Sequence, residues 1–240
     1  MLNRTELKAK AKAAFKANYW KCVLVGILLS LFTASGASVT SSTTTNAANQ
    51  QQGTNEAANQ IQQMAQQNPE AFKAFVAVLF GGLAVIAVIG VVIDIFLNNP
   101  LTMGCRSFFL KNTEEPAELD NVMKGFKPSY MRNVKTLFLK DLLISLWGLL
   151  FIVPGIIKGL AYSQTQYILA EDPEISGMDA LKKSEQMMMG HKWEKFVLGL
   201  SFFGWIFAGI LTLGLGMIFY VSPYMEATEA QYYKWLKEQA

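Results

Sequence analysis

The chain has 240 residues, 52% of them hydrophobic and only 16% charged, against about 25% charged in a soluble domain. The net charge is +3, carried by blocks of Lys and Arg set beside apolar stretches. Two of those stretches are near the length of about 20 apolar residues that a bilayer span needs, and a soluble domain could neither leave both solvated nor bury both.

In chain order, residues 1–21 are expected to form a cytoplasmic amphipathic helix, with Leu7, Ala11, Ala14 and Phe15 on one face and Lys8, Lys12 and Lys16 on another. A first span is expected over 22–39. The small residues "TASGAS" behind it resemble a signal cleavage site, but the charged segment before it is long and helically periodic, which favours a retained span. Residues 40–72 read as an external polar loop, too poor in apolar residues to pack a domain, with a helix possible over 55–67. A second span follows over 73–97, then a cytoplasmic segment over 98–136.

Orientation follows from the basic residues. Arg4, Lys8, Lys10, Lys12, Lys16 and Lys21 precede the first span, and no Lys or Arg occurs between Ser38 and Phe72. Arg106, Lys111, Lys124, Lys127, Arg132, Lys135 and Lys140 follow the second span. The positive-inside rule therefore puts the N-terminus in the cytoplasm.

A further basic block, Lys182, Lys183, Lys192 and Lys195, is expected inside within a cytoplasmic segment over 171–195. That requires a hairpin over 137–170, turning at Pro154–Gly155, with Lys158 snorkelling near the outer turn. A second hairpin over 196–233 turns at 214–216 and leaves a cytoplasmic tail over 234–240. The expected fold class is an all-α polytopic membrane bundle of six transmembrane helices, arranged as three hairpin units with cytoplasmic amphipathic helices. Both short hairpins also fit a re-entrant path that never crosses, since their arms hold only about 15 residues.

The three units rhyme. Leu119, Val122, Met123 and Phe126 repeat the amphipathic spacing, and Met178, Leu181 and Met188 do so more loosely. The aromatic-and-basic junctions "KANYWK", "KPSYMR" and "GHKWEK" suit the headgroup layer. Two returning segments carry a proline followed by an aromatic pair, Phe108–Phe109 and Tyr232–Tyr233; the middle one lacks that proline.

Ionisable and polar residues inside a membrane are the default functional candidates. They are Asp94, Lys158, Gln164, Gln166 and Glu226. For Asp94, a structural hydrogen bond or a salt bridge to Lys140 is favoured over an ion or proton site. His191, the sole histidine, reads as an interfacial residue, because no nucleophile or acid partner accompanies it. The Met187–Met189 run is read as packing. Cys22 and Cys105 show no metal-ligand spacing and are expected as free thiols. No catalytic set can be assembled, so a non-enzymatic protein without cofactors is expected. Its partners are membrane lipids, with anionic headgroups at the inner face and no nucleic acid.

The runs "LLFIVPGIIKGLAYSQTQYILAEDPEIS", "ALKKSEQMMMGHKWEKFVLGLSFFGW" and "LTLGLGMIFYVSPYMEATEAQYY" resemble a bacterial integral-membrane family catalogued as domain of unknown function 975 (DUF975). The opening "ELKAKAKAAFKANYWKCVLV" is similar too. The resemblance implies a multi-span protein of mainly Gram-positive plasma membranes and supplies no activity. Two function classes stay open: a membrane protein engaging lipids or partner proteins in envelope homeostasis, and a small transporter or export accessory. A membrane enzyme ranks last.

Overall fold

A computed structural model describes residues 2–37, 63, 66, 68–126, 129–212 and 214–239, and among them no strand occurs. The expected helix over 55–67 lies almost wholly outside the described residues. The helices are α1 (Arg4–Ala17), α2 (Tyr19–Ala37), α3 (Pro69–Ile93), α4 (Asn99–Lys111), α5 (Tyr130–Leu150) and α6 (Ile152–Ala161). They continue as α7 (Thr165–Glu171), α8 (Gly177–Met187), α9 (Lys192–Leu200), α10 (Phe203–Leu211) and α11 (Ser222–Gln239). A 3-10 run covers Leu119–Phe126, and π-helical turns cover Asp94–Asn98 and Met217–Val221. The chain divides into two units, residues 34–94 and the remainder.

Helix starts follow from capping chemistry. Asn3, Asn68 and Ser176 each accept a backbone N–H from three residues ahead, supplying one of the bonds that a helix's first turn lacks. In the 34–94 unit, α3 opens with Pro69 at its first position and has no buried residue along its 25 residues.

The core of the larger unit is an aromatic cluster that includes Phe15, Phe108, Phe109, Tyr167, Tyr232 and Tyr233. Its organisation is cyclic. α1 packs on α11, the 3-10 run packs on α4, and α8 packs on α7. Each amphipathic element thus lies on the returning helix of the preceding repeat, with the first unit closing onto the third. The returning helices α4, α7 and α11 meet in the middle. α4 touches both others, and Tyr167 of α7 stacks on Tyr233 of α11 at 5.3 Å.

A second regularity explains why this order is followed. Each returning segment is interrupted, and an interruption strands backbone groups. Pro100 cannot donate to the Phe96 carbonyl four residues back, and the Tyr130 hydroxyl donates to that carbonyl instead, at 2.7 Å. Pro223 likewise strands the Phe219 carbonyl, which accepts from Tyr19 at 3.2 Å. The middle segment lacks the proline but breaks between α6 and α7. There the Ser184 hydroxyl donates to the Ala161 carbonyl (2.7 Å) and accepts from the Gln164 N–H (3.2 Å). In every case the hydroxyl comes from the next unit in the ring. Ser184 is fully buried. Ser184→Ala is therefore expected to cost about 2 kcal/mol, because two buried backbone groups lose their partner. A melting temperature in mild detergent equal to that of the parent protein would show that the break is satisfied otherwise.

Two expectations need correction. The 137–170 hairpin does not turn at Pro154–Gly155. α5 ends one residue before Phe151, whose backbone is extended, and Pro154 lies in the first turn of α6. A proline is harmless there, since its missing N–H would have no helical acceptor. Lys158 is not near an outer turn but pairs with Glu185 of α8 at 2.7 Å, within the segment 171–195. The apolar face of α1 (Leu7, Ala11, Phe15) is buried in the protein.

Glycines close both short hairpins. A Cβ on Gly155 would stand 2.6 Å from the Gly148 Cα, and one on Gly216 would stand 3.3 Å from the Gly209 Cα. The same seven-residue spacing thus lets the arms touch backbone to backbone in α5–α6 and again after α10. Gly214 has φ +83°, a left-handed conformation that suits glycine, at the turn expected over 214–216.

Candidate functional site: a polar cluster between the returning helices

Where α4, α7 and α11 converge, charge collects in an otherwise aromatic core. Arg106 of α4 faces Glu226 of α11, Nε to Oε2 at 3.8 Å. The guanidinium also lies 5.7 Å from the ring centre of Tyr167 on α7. One turn further along α11, Glu229 pairs with Lys195 of α9, and that ammonium lies 5.1 Å from the Tyr232 ring. Gln166 of α7 donates to the Thr102 hydroxyl at 3.3 Å, one turn before Arg106 on α4.

The cluster is short of hydrogen bonds. Arg106 Nε, Glu226 Oε2, Tyr167 OH and Gln166 Oε1 are buried without a hydrogen-bond partner, as is Gln164 Oε1 at the nearby α6–α7 break. Buried polar groups are nearly always paired, so such a concentration marks a hydrated or functional locus. Positive and negative side chains balance within it, which gives it no net affinity for either sign.

The candidates from the sequence separate. Glu226 and Gln166 join the cluster. Gln164 is buried at the α6–α7 break, donating to the Ser163 hydroxyl at 2.8 Å with Met188 Sδ 3.8 Å away. Lys158 serves as a tether to α8. Asp94 belongs to the 34–94 unit, where it is exposed and opens a π-helical turn. Lys140 pairs with Asp141 at 3.1 Å, and Asn99 donates to the same carboxylate at 3.1 Å.

Four cluster members were not among the candidates: Arg106, Tyr167, Lys195 and Glu229. A signal for two of them existed. Arg106 follows Pro100, and Glu229 follows Pro223, by the same six residues. Aligning the two prolines would have brought both to one level.

The remaining polar features are structural. His191 stands at the N-cap position of α9 without a side-chain capping bond, and its Nδ1 lies 2.8 Å from Glu194, with the ring edge-on to Trp235. Glu171 fastens α7 to α11 by accepting from Tyr233 (2.8 Å) and Lys237 (2.7 Å). Burial works to raise its pKa, but those two bonds and the Lys237 charge together hold it below the usual glutamate value. Cys22 and Cys105 are free and fully buried. Met187, the last residue of α8, and Met188 at its C-cap are buried in the core, while Met189 in the turn beyond is exposed.

A groove of about 680 Å³ lies away from the cluster, between α1, α11 and the turn around Asn112–Pro116. Three of its acids already hold lysines, Glu6 with Lys10, Glu114 with Lys234 and Glu115 with Lys111.

No curated protein and no solved structure gives a significant match to this chain. Residues 149–240, which contain α6 to α11 and most of the charged cluster, match the family described as "Protein of unknown function (DUF975)", the family that the sequence itself resembles.

Proposed function

We propose that this protein is a non-enzymatic integral membrane protein whose positive surface engages anionic lipid headgroups, in a role in the upkeep of the cell envelope. The observation that carries the reading is α3. At 1.5 Å per residue, its 25 residues reach about 37 Å, beyond the roughly 30 Å hydrocarbon core, and none of them is buried. The stretch Lys192–Leu211 is also apolar and long enough, with little of it buried. In this reading the N-terminus is cytoplasmic, the protein is multi-pass, and the membrane is a Gram-positive plasma membrane.

The lipid contact is electrostatic. Because the apolar face of α1 is spent inside the protein, the exposed stripe Lys12, Lys16 and Trp20 would meet the headgroups. Each lysine near an anionic surface contributes about 1 kcal/mol. The full-length protein is expected to be more heat-stable in nanodiscs containing phosphatidylglycerol than in purely zwitterionic ones. Lys12→Gln with Lys16→Gln is expected to remove most of that increment. Equal stability of the parent protein in both lipids would count against the reading.

A second reading, a small transporter or export accessory, draws support from the polar cluster on the axis of the ring. Proton or solute flux in reconstituted vesicles that depends on Glu226 would bring it to the front.

A further inference from the structure

We infer that the two short hairpins, α5–α6 and α10 with the chain returning from it, are wedges that enter a single leaflet from the side of the chain termini and end near the bilayer midplane. The inference rests on the membrane reading above and concerns how far each hairpin reaches.

Charged groups mark the level at which each arm leaves the polar layer. On α5 the last charges are the paired Lys140 and Asp141. From Leu142 to Leu150 there is none, a length of about 13 Å. The returning arm meets a charge at Lys158, which is held by Glu185. Glu185 belongs to α8, which also bears the exposed Lys182 and Lys183 and so lies at the polar surface.

The third hairpin carries a comparable mark. α9 stops at Ser201, whose carbonyl accepts from Lys8 Nζ at 3.1 Å, with the same ammonium 4.1 Å from the centre of the Phe202 ring. Lys8 belongs to the amphipathic α1, so the break sits at the level of that helix. Beyond it, Phe203–Leu211 again reaches only about 13 Å. Although Lys192–Leu211 is long enough to cross by composition, its first half is occupied by Lys195 paired with Glu229 and by the buried Leu198.

An apolar arm of about 13 Å covers less than half of the roughly 30 Å core. Lysine snorkelling adds a few ångströms and does not close the gap. The tips are nonetheless made for hydrocarbon: Leu149 is 85% exposed, Ile152 77% and Leu211 71%. The α5–α6 tip, "GLLFIVPGII", contains no polar side chain of its own. The glycine contacts Gly148–Gly155 and Gly209–Gly216 keep each wedge narrow at its point. A lipid leaflet is the partner whose chemistry and thickness fit these tips.

The test places single cysteines at Phe151 and Leu211 in the full-length protein in phosphatidylglycerol-containing proteoliposomes. Glu238→Cys marks the side of the termini. Cys22 and Cys105 are fully buried, so the parent protein serves as the unlabelled blank. If it labels, Cys22→Ala with Cys105→Ala replaces it. Impermeant maleimide is expected to label neither tip from either side. A nitroxide at each tip is expected to collide with oxygen and not with a water-soluble nickel chelate. Labelling of the tips from the side opposite Glu238→Cys would show that the hairpins cross, overturning the inference and leaving the membrane reading intact. Labelling from the same side as Glu238→Cys would put the tips in water and remove the membrane reading for these hairpins.

Discussion

An alanine at Gly125 is expected to unseat the 3-10 run from α4 and to cost at least about 3 kcal/mol. A Cβ there would lie 1.7 Å from the Pro100 carbonyl oxygen and 2.6 Å from its carbon. Both are backbone atoms, so no side chain can swing aside to make room. The contact is reciprocal, for a Cβ on Gly104 would lie 1.8 Å from the Val122 carbonyl oxygen. The two glycines let one backbone rest on another, and Pro100 itself opens α4 beside the carbonyl that Tyr130 satisfies. Gly199→Ala is the control: nothing lies within 4 Å of its added Cβ, and within α9 alanine is the better helix former by about 0.5–1 kcal/mol. The measurement is thermal unfolding in mild detergent, followed by circular dichroism and size-exclusion chromatography. A Gly125→Ala protein that melts with the parent would mean that the run does not pack as described.

The second large effect concerns the ion pair between α4 and α11. Removing one partner from a pair with buried atoms leaves an uncompensated charge, which costs more than the pair contributes. Arg106→Met and Glu226→Met are each expected to lower stability by about 2–3 kcal/mol. The double replacement is expected to recover more than half of the summed loss, because it leaves no charge behind and Met fills the space. Additive losses in the double variant would show that the two residues do not act as a pair. Recovery of stability would also yield a folded protein without the central charges, suited to measuring flux in vesicles.

Helix content, the apolar character of the hairpins and the three-unit rhyme were legible from period and composition. Leu7, Ala11 and Phe15 share a face at helical spacing, and that face is the buried one. The prolines at 100 and 223 and the aromatic pairs behind them mark equivalent places, because a proline disrupts a helix locally wherever it falls. The second amphipathic element was less faithful. Of Leu119, Val122, Met123 and Phe126, which share the amphipathic spacing, Leu119 and Met123 are exposed and Val122 packs against the core, while the buried residue of the run is Gly125. A contact made through the absence of a side chain leaves no hydrophobic signal to count.

What the amino-acid sequence determined by itself was local: where helices run, where they break, which stretches suit hydrocarbon. Only the tertiary structure decided which partner answers each break, since a hydroxyl on Tyr19 or Ser184 carries no record of the distant carbonyl it will reach. It also decided that Arg106, Glu226, Tyr167 and Lys195 belong together. They come from four helices far apart in the chain, and their association follows from cyclic packing, not from any spacing along it. The level of Lys158 was decided the same way. Its place two turns after Phe151 is local, but the carboxylate that holds it belongs to α8, and an ion pair between separate helices depends on how they pack.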